Sequence, residues 1–569
     1  MNILLVLLFL FVFPLPGTLL GLMRPGKERG AENLIDAFAL GTALSLCGLY
    51  LCACVSIDLF KPVWAAALLA AGVAYFKHRP AARSWSRWSS EARVLCWLIA
   101  GYLALRVLPV FYEPYPHGWD PYFHLVLADK IAQARTLIGD WTPYETIPLS
   151  YPLGSHLIVA LASGLLAIPL HEVFSVALAF FTAVCAALTY AVVSRATTRR
   201  DLGLYAAAAY AFIAVNGSLD YARWGGLPSL IGECLFLGLL SFLLQEELAP
   251  WWSRGALAAL FVGLSLTNQH TALVASLTLG WMLAFFFLKG DRARGLRIFQ
   301  GLAAAALLGA PYFWHTLHHA PPMRDTSLLI ETAKLATPRT LFFDLGPAFS
   351  IAIFLGGVLY LSRKGGAKVS PVLSQALAGL LVVFAAAEYG SRLVSIYFFG
   401  KDLAPFTPSR FLTDAVPLLS LFAALFFSEL RGFLRVGRGL VMALILACFA
   451  FNLEAYRAIF RPAVPEDRLA AFAWLREHAA PDALVMDPSF AASYLTRRPS
   501  SDMPIPTSES RKTATIRPLA LELKRSGGRV PPGAGARQIV LLYAGHAKVP
   551  PQRVLWAHPS GLLAVQLNP

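Results

Sequence analysis

Four charged residues sit where charge is rare in this chain, and their types define what they could do. Asp120 lies in Trp119-Asp120-Pro121-Tyr122-Phe123-His124, Asp220 closes Asn216-Gly217-Ser218-Leu219-Asp220, Glu331 follows Leu329-Ile330, and Arg410 precedes Phe411. A carboxylate can take a proton from a hydroxyl group, or hold a divalent cation through hard oxygen ligands. A guanidinium fork matches the oxygens of a phosphate or diphosphate. Arg392 is a second candidate for the phosphate role, and His117 and His124 flank Asp120 closely enough to support it. Each also has an ordinary alternative. Asp followed by Pro starts a helix, and Asp120-Pro121 fits that use. Asp220 can pair with Arg223, Glu331 can be a solvated loop charge, and Arg410 can snorkel at the end of an apolar run. A complete GxxxxGK[ST] phosphate loop does not occur.

The rest of the chain has to hold these groups at one surface. Hydrophobic residues make up 57% of the 569 and charged residues 14%, with a mean hydropathy of +0.59. That balance belongs to polytopic membrane proteins. Fourteen apolar runs are candidate spans: 3–23, 35–57, 62–76, 92–110, 172–193, 203–216, 225–246, 255–269, 271–288, 296–315, 346–362, 371–391, 408–428 and 439–456. The first has no charged leader and no small-residue cleavage site, so it is read as a helix that stays. The net charge of +15 comes from Lys and Arg in short loops between these runs. This is the positive-inside pattern, and a nucleic-acid partner is not expected. All seven cysteines lie inside apolar runs without metal spacing to histidine, so neither a disulfide framework nor a zinc site is implied.

Loop charge sets the orientation. Lys77, Arg79, Arg83, Arg87 and Arg93 put their loop on the cytoplasmic side, which leaves the polar, aromatic stretch 111–171 outside. Residues 155–170 are apolar enough to be mistaken for a span. Crossing there would put Arg195, Arg199 and Arg200 outside, so 155–170 is expected to lie peripherally on the outer surface. Asp120, Asp220, Glu331, Arg410 and both termini then share the external face. The expected organisation is N-terminal transmembrane helices over 1–91, a transmembrane catalytic region over 92–459, and a soluble external domain over 460–569. In that last part 465–479 reads as a helix, 483–486 and 538–543 as strands, and 553–567 as a hairpin about Pro559-Ser560-Gly561. The Pro-, Ser-, Arg- and Gly-rich stretch 498–536 reads as a mobile loop. The fold class expected is an all-α polytopic membrane protein of about fourteen transmembrane helices with a small C-terminal external α/β domain.

Acids beside an arginine at an external membrane face suit glycosyl transfer from a lipid-phosphate sugar, which needs no nucleotide donor. The motifs resemble those of the C-type membrane glycosyltransferases. Asp120-Pro121-Tyr122-Phe123-His124 and Tyr151-Pro152-Leu153-Gly154 look like that family's first external loop. Gly217-Ser218-Leu219-Asp220 is similar to its second acidic motif, a hundred residues on. Ile330-Glu331 with Thr340-Leu341-Phe342-Phe343-Asp344-Leu345 resembles a later external loop, and Arg410-Phe411 with Val416-Pro417 its arginine element. The resemblance runs over 92–460 and is nearest to oligosaccharyltransferase catalytic subunits. It departs from them in two places. Asp220 is followed by Tyr221-Ala222-Arg223-Trp224 rather than a second acid or amide, and the acceptor-reading Trp-Trp-Asp-Tyr-Gly motif is missing. The pair Trp251-Trp252 falls in an expected cytoplasmic loop.

The resemblance implies a multi-pass enzyme of the cell membrane, surrounded by membrane lipid. It would move a sugar or oligosaccharide from a polyprenyl- or dolichyl-linked phosphate or diphosphate donor to a protein or glycolipid acceptor on the non-cytoplasmic face. In the oligosaccharyltransferase-like version Asp120, Asp220 and Glu331 bind Mg or Mn. In the monosaccharide-transferring version Asp120 is the general base and no metal is needed. The rival readings are a transporter or flippase for lipid-linked sugars, and a non-catalytic glycolipid binder. A transporter would place charged pairs at mid-membrane in repeated, discontinuous helices.

Overall fold

In a bilayer every backbone N–H and C=O must be satisfied within its own segment, so apolar runs of this length fold as helices. The computed structural model describes residues 2–23, 30–78, 89–118, 120–142, 144, 149, 151–245, 250–319, 330–331, 337–362, 369–390, 393, 396–397, 403–404, 412–487, 489, 491–500, 538–544, 553–560 and 562–567. The helices up to residue 385 are α1 Ile3–Val12, α2 Leu15–Leu22, α3 Ala31–Ala53, α4 Phe60–His78, α5 Ser90–Tyr112, α6 Asp120–Ala134, α7 Gly154–Leu166, α8 Leu170–Thr197, α9 Arg200–Phe212, α10 Asp220–Trp224, α11 Leu227–Leu243, α12 Pro250–Thr267, α13 Gln269–Leu288, α14 Arg292–Leu308, α15 Ala310–His319, α16 Pro338–Leu345, α17 Pro347–Ser362 and α18 Pro371–Ala385. Val416–Leu434, Arg438–Cys448 and Glu466–His478 follow.

Among the described residues eight helices are long and apolar enough to cross a bilayer, or ten if each of two bent pairs is one span. Fourteen runs were expected. The difference comes from runs that fold but stop short or begin with charge. α9 and α11 have 13 and 17 residues, and α14 opens with Arg292, Arg294 and Arg297. The first run is also not one straight helix. It bends by 42° between Val12 and Leu15, at Pro14, which cannot donate to the helix ladder. α16 and α17 meet at 108° across Gly346, at φ +93°.

The helix ends separate into two groups, and this tests the alternation of the loops. At one end Arg195 pairs with Asp36 at 2.5 Å and donates to Asn33 at 2.8 Å, and Arg200 pairs with Glu32 at 2.9 Å. Arg431 lies 3.8 Å from Asp201, Arg438 pairs with Glu91, and Arg297 donates to the Gln245 carbonyl at 3.0 Å. The loops expected to share a side therefore do share one end of the molecule. The 155–170 stretch is α7, about 20 Å long against an apolar bilayer thickness of ~30 Å. Its first residue packs on the Leu266 backbone at the far end of α12. Near its last turn, Gly164 faces Arg135, which pairs with Asp58 in the α3–α4 connection. Both ends of α7 thus meet the same end of the bundle, and it does not cross. It is not a surface helix either, because Gly154 through Ala162 are buried.

Beyond the last span, β3 Leu484–Met486, β4 Ile539–Ala544, β5 Val554–Ala557 and β6 Leu562–Gln566 form a sheet in the order β3-β4-β6-β5, with the first pair parallel and the others antiparallel. The helix Glu466–His478 covers it, so the expected helix, strands and hairpin are all present. Most of 498–536 falls outside the described residues. Arg497 pairs with Asp129 of α6 at 2.8 Å, which docks this unit on the Asp120 end.

Candidate active site

Asp120 is the first residue of α6, where the helix dipole favours an acid, and it is half-buried. The chain on either side of it is fixed by two glycines at positive φ. Gly118, at φ +89°, lies so close to α10 that a Cβ there would sit 2.9 Å from Trp224 Cα and 3.0 Å from the Arg223 carbonyl oxygen. Gly225, at φ +76°, lies against Pro121, and its Cβ would reach within 2.5 Å of Pro121 Cδ. The Asp120-Pro121 turn and the short helix that begins at Asp220 are therefore packed backbone to ring, with no space for a methyl group between them.

The loop in front of Asp220 is held from three sides. Val215–Leu219 is a single wide turn, with Asn216 extended and Gly217 at φ +74°. Thr413 donates to the Asn216 side chain at 2.6 Å, just before the Val416–Leu434 span. Tyr210 of α9 donates to the Gly217 carbonyl. Ser218 meets Tyr102 of α5 at 2.6 Å. Asp220 itself faces Arg223 at 3.4 Å, the local pair anticipated from the sequence. Burial nevertheless holds its carboxyl above the usual range; Arg223 opposes that shift and the Asp344 carboxylate adds to it. Asp344, on α16, is raised by burial too. Asp344 was read only as part of a motif, yet it is the acid whose field reaches Asp220.

The other expected residues are placed as follows. His124 Nδ1 lies 3.0 Å from His156 Nε2, and both rings are buried beneath Tyr151. Burial drives the His156 pKa down to about 3, so it is neutral near pH 7. His117 Nε2 lies 3.0 Å from the Ile459 carbonyl, and burial lowers its pKa. Glu331 belongs to β1 Ile330–Glu331, whose backbone pairs antiparallel with β2 Leu403–Ala404. The Glu331 side chain, Arg410 and Arg392 lie outside the described residues. Among the described residues no three His, Cys, Asp or Glu side chains gather as a metal-ligand set. Asn268, between α12 and α13, caps α13 at the Thr271 N–H and donates to Ser229 of α11, which ties α13 to α11. Trp251 and Trp252 lie in the first turn of α12 rather than a loop.

Two acids behind this surface were not picked out from the sequence. Glu233 of α11 is fully buried, accepts from Tyr221 at 2.7 Å, and leaves Oε1 without a hydrogen-bond partner. Asp414 is buried between Thr271 at 3.4 Å and His270 at 3.6 Å, and burial pushes its pKa up to about 7. Glu233 is a single acid inside an apolar helix and Asp414 stands in the turn before one; either is a signal, because such burial is costly unless it is used.

No family model matches the chain, and no curated protein sequence does. Solved structures do. The crystal structure of ArnT from Cupriavidus metallidurans in the apo state superposes with a TM-score of 0.54 at 10% identity, covering 84% of this chain and 99% of that one. The same protein bound to undecaprenyl phosphate gives 0.52 at 11%, with the same coverage. An Archaeoglobus fulgidus oligosaccharyltransferase tethered to an acceptor peptide containing the NVT sequon gives 0.49 at 11%, over 81% of this chain and 70% of that one. At these identities the ArnT match establishes architecture, so the resemblance read from the motifs around Asp120, Asp220, Glu331 and Arg410 holds at the level of the fold, which is that of the C-type membrane glycosyltransferases.

Proposed function

We propose that the chain is a membrane glycosyltransferase. It takes a sugar from a polyprenyl- or dolichyl-linked phosphate or diphosphate and passes it to a protein or glycolipid acceptor on the non-cytoplasmic side. The observation that carries this reading is the interlock of Asp120-Pro121 with Trp224-Gly225, which joins two acidic elements a hundred residues apart at one end of the bundle. The binding of undecaprenyl phosphate by a protein of the same fold supports a lipid-phosphate donor.

On this reading Asp120 accepts the proton of the acceptor hydroxyl or amide as the glycosidic bond breaks. Asp220 and Glu331 act with it, and Arg410, or failing it Arg392, holds the phosphate leaving group. If a divalent cation takes part, Asp120, Asp220 and Glu331 are its ligands, and it would neutralise the charge they share. His124 and His117 position the Asp120 turn through His156 and Ile459.

The test is transfer by the purified, reconstituted chain from a panel of radiolabelled polyprenyl-linked sugars, with Asp120→Asn beside the wild type. Asn caps a helix about as well as Asp, whereas losing a general base costs ~10²–10⁴ in rate. No transfer from any donor, or an Asp120→Asn variant as active as wild type, would end this reading.

A further inference from the structure

Arg106 belongs to the α5 span and is 6% exposed. A guanidinium carries five N–H donors in a rigid fork. Arg106 Nε donates to the Tyr102 hydroxyl at 3.1 Å and Nη2 to Ser218 Oγ at 3.2 Å, and the Tyr102 ring lies beside it with Cζ 5.1 Å from the centroid. These partners are neutral. Nη1 is buried without a hydrogen-bond partner, and among the described residues Arg106 forms no ion pair. A buried cation in an apolar helix is expensive unless a counter-charge meets it. A plain brace between α5 and the Asp220 loop would need neither the charge nor the third donor.

Space for a counter-charge adjoins it. Arg106 lines a cavity of about 40 Å³ between α5 and α8, shared with Val110, Ser175 and Thr182 and bounded toward the outer end by Glu113 and His117. On that measure it holds on the order of three water-sized spheres, comparable with the oxygens of one phosphate. His117 is three residues before Asp120, and Ser218, on the guanidinium, is two before Asp220. Glu113 is the acid that lines the cavity. Burial raises its pKa, toward the neutral form, and it accepts the Tyr115 N–H at 3.1 Å.

We infer that Arg106 is an oxyanion site of the phosphate class, facing a cavity that opens beside both acidic motifs. The choice of ligand rests on the transferase reading: the anion is the phosphate of the polyprenyl lipid, held on the α5–α8 side, apart from the role expected of Arg410.

The experiment is binding, not turnover. The full-length chain in detergent is titrated with polyprenyl phosphate, with polyprenol of equal length, and with inorganic phosphate, each followed by thermal stabilisation. The wild type should prefer the phosphate lipid over the alcohol. Arg106→Gln should lose ~10–100-fold in affinity for the phosphate lipid, the worth of hydrogen bonds to a charged group. Ser218→Ala, which cuts the brace and keeps the charge, should bind like wild type. Arg106→Lys guards against a variant that does not fold, and should bind more weakly than wild type because the fork is gone. Wild-type affinity in both Arg106→Gln and Arg106→Lys, or equal losses in Arg106→Gln and Ser218→Ala, would overturn the inference. Inorganic phosphate that competes in the wild type but not in Arg106→Gln supports the oxyanion site and moves its source from lipid to free phosphate. A wild type that binds the phosphate lipid through Arg106 yet transfers no sugar would sink the transferase reading alone.

Discussion

Replacing Gly225 by Ala tests whether the two acidic motifs act as one unit. The substitution adds a methyl group at φ +76°, pointed at Pro121 Cδ from 2.5 Å. An ordinary carbon–carbon contact needs at least 3.4 Å, so the Pro121 ring, and Asp120 with it, must move by about 1 Å. Holding a non-glycine residue in the left-handed region costs ~1–2 kcal/mol, and the overlap adds ~1–3 kcal/mol if the neighbours yield. Gly290 supplies the control. It has φ +77° and nothing within 4 Å of its missing Cβ, so Gly290→Ala carries the strain without the contact. Thermal unfolding of both purified variants should show a loss in each, larger for Gly225→Ala. Transfer measured at saturating donor should then separate them. A displacement of ~1 Å at a reacting group can cost ~10²-fold, so Gly225→Ala should fall by about that factor while Gly290→Ala stays near wild type. Equal activity in the two variants would mean that the Pro121 contact does not position Asp120, and the interlock would lose its functional meaning.

Three further outcomes are expected. If Asp120, Asp220 and Glu331 share a cation, chelation stops transfer and Mg or Mn restores it; activity indifferent to chelator leaves Asp120 as a metal-free base. Arg410→Lys should keep partial activity and Arg410→Ala less, seen as weaker donor use, because lysine keeps the charge without the fork; a change confined to acceptor kinetics would move the phosphate role to Arg392. Asp414 has a folded pKa of about 7 against ~3.9 unfolded. The folded chain thus holds a proton that the unfolded chain has lost, and stability falls as pH rises from about 4 to about 7, by up to ~4 kcal/mol. Asp414→Asn should flatten that window in detergent-solubilised melts, and a wild type already flat there would refute the assignment.

The membrane architecture was legible because bilayer physics writes it into composition. Apolar runs and Arg-rich loops were enough to place α7 as a segment that does not cross. The ion pairs of Arg195, Arg200, Arg431 and Arg438 gather the loops that this reading had put together. Span ends were less legible. Pro14 breaks a run that hydropathy alone reads as continuous, the bend at Gly346 falls where the 346–362 run begins, and the α9 and α11 helices are shorter than the runs they overlap. That α7 is buried rather than superficial follows from partners far away in sequence, Leu266 and Arg135, which no local pattern discloses.

The site was half legible for a related reason. Asp120 and Asp220 stand in polar, aromatic stretches that interrupt apolar sequence, so they draw notice at once. Glu233, Asp414 and Arg106 are each one charge inside or beside an apolar run, and an eye following motifs passes over them. Their meaning lies in the neighbours they reach. Glu233 holds Tyr221, the residue after Asp220; Asp414 follows Thr413, which holds Asn216; Arg106 holds Ser218. Glu233 and Arg106 each hold a residue of the Asn216–Tyr221 stretch, and Asp414 adjoins the threonine that holds it. This bears on the transporter rival, which places charged pairs at mid-membrane in repeated, discontinuous helices. These charges converge instead on one loop at one end of the bundle, behind Asp220. Such an arrangement stiffens a surface rather than lining a path through the bilayer.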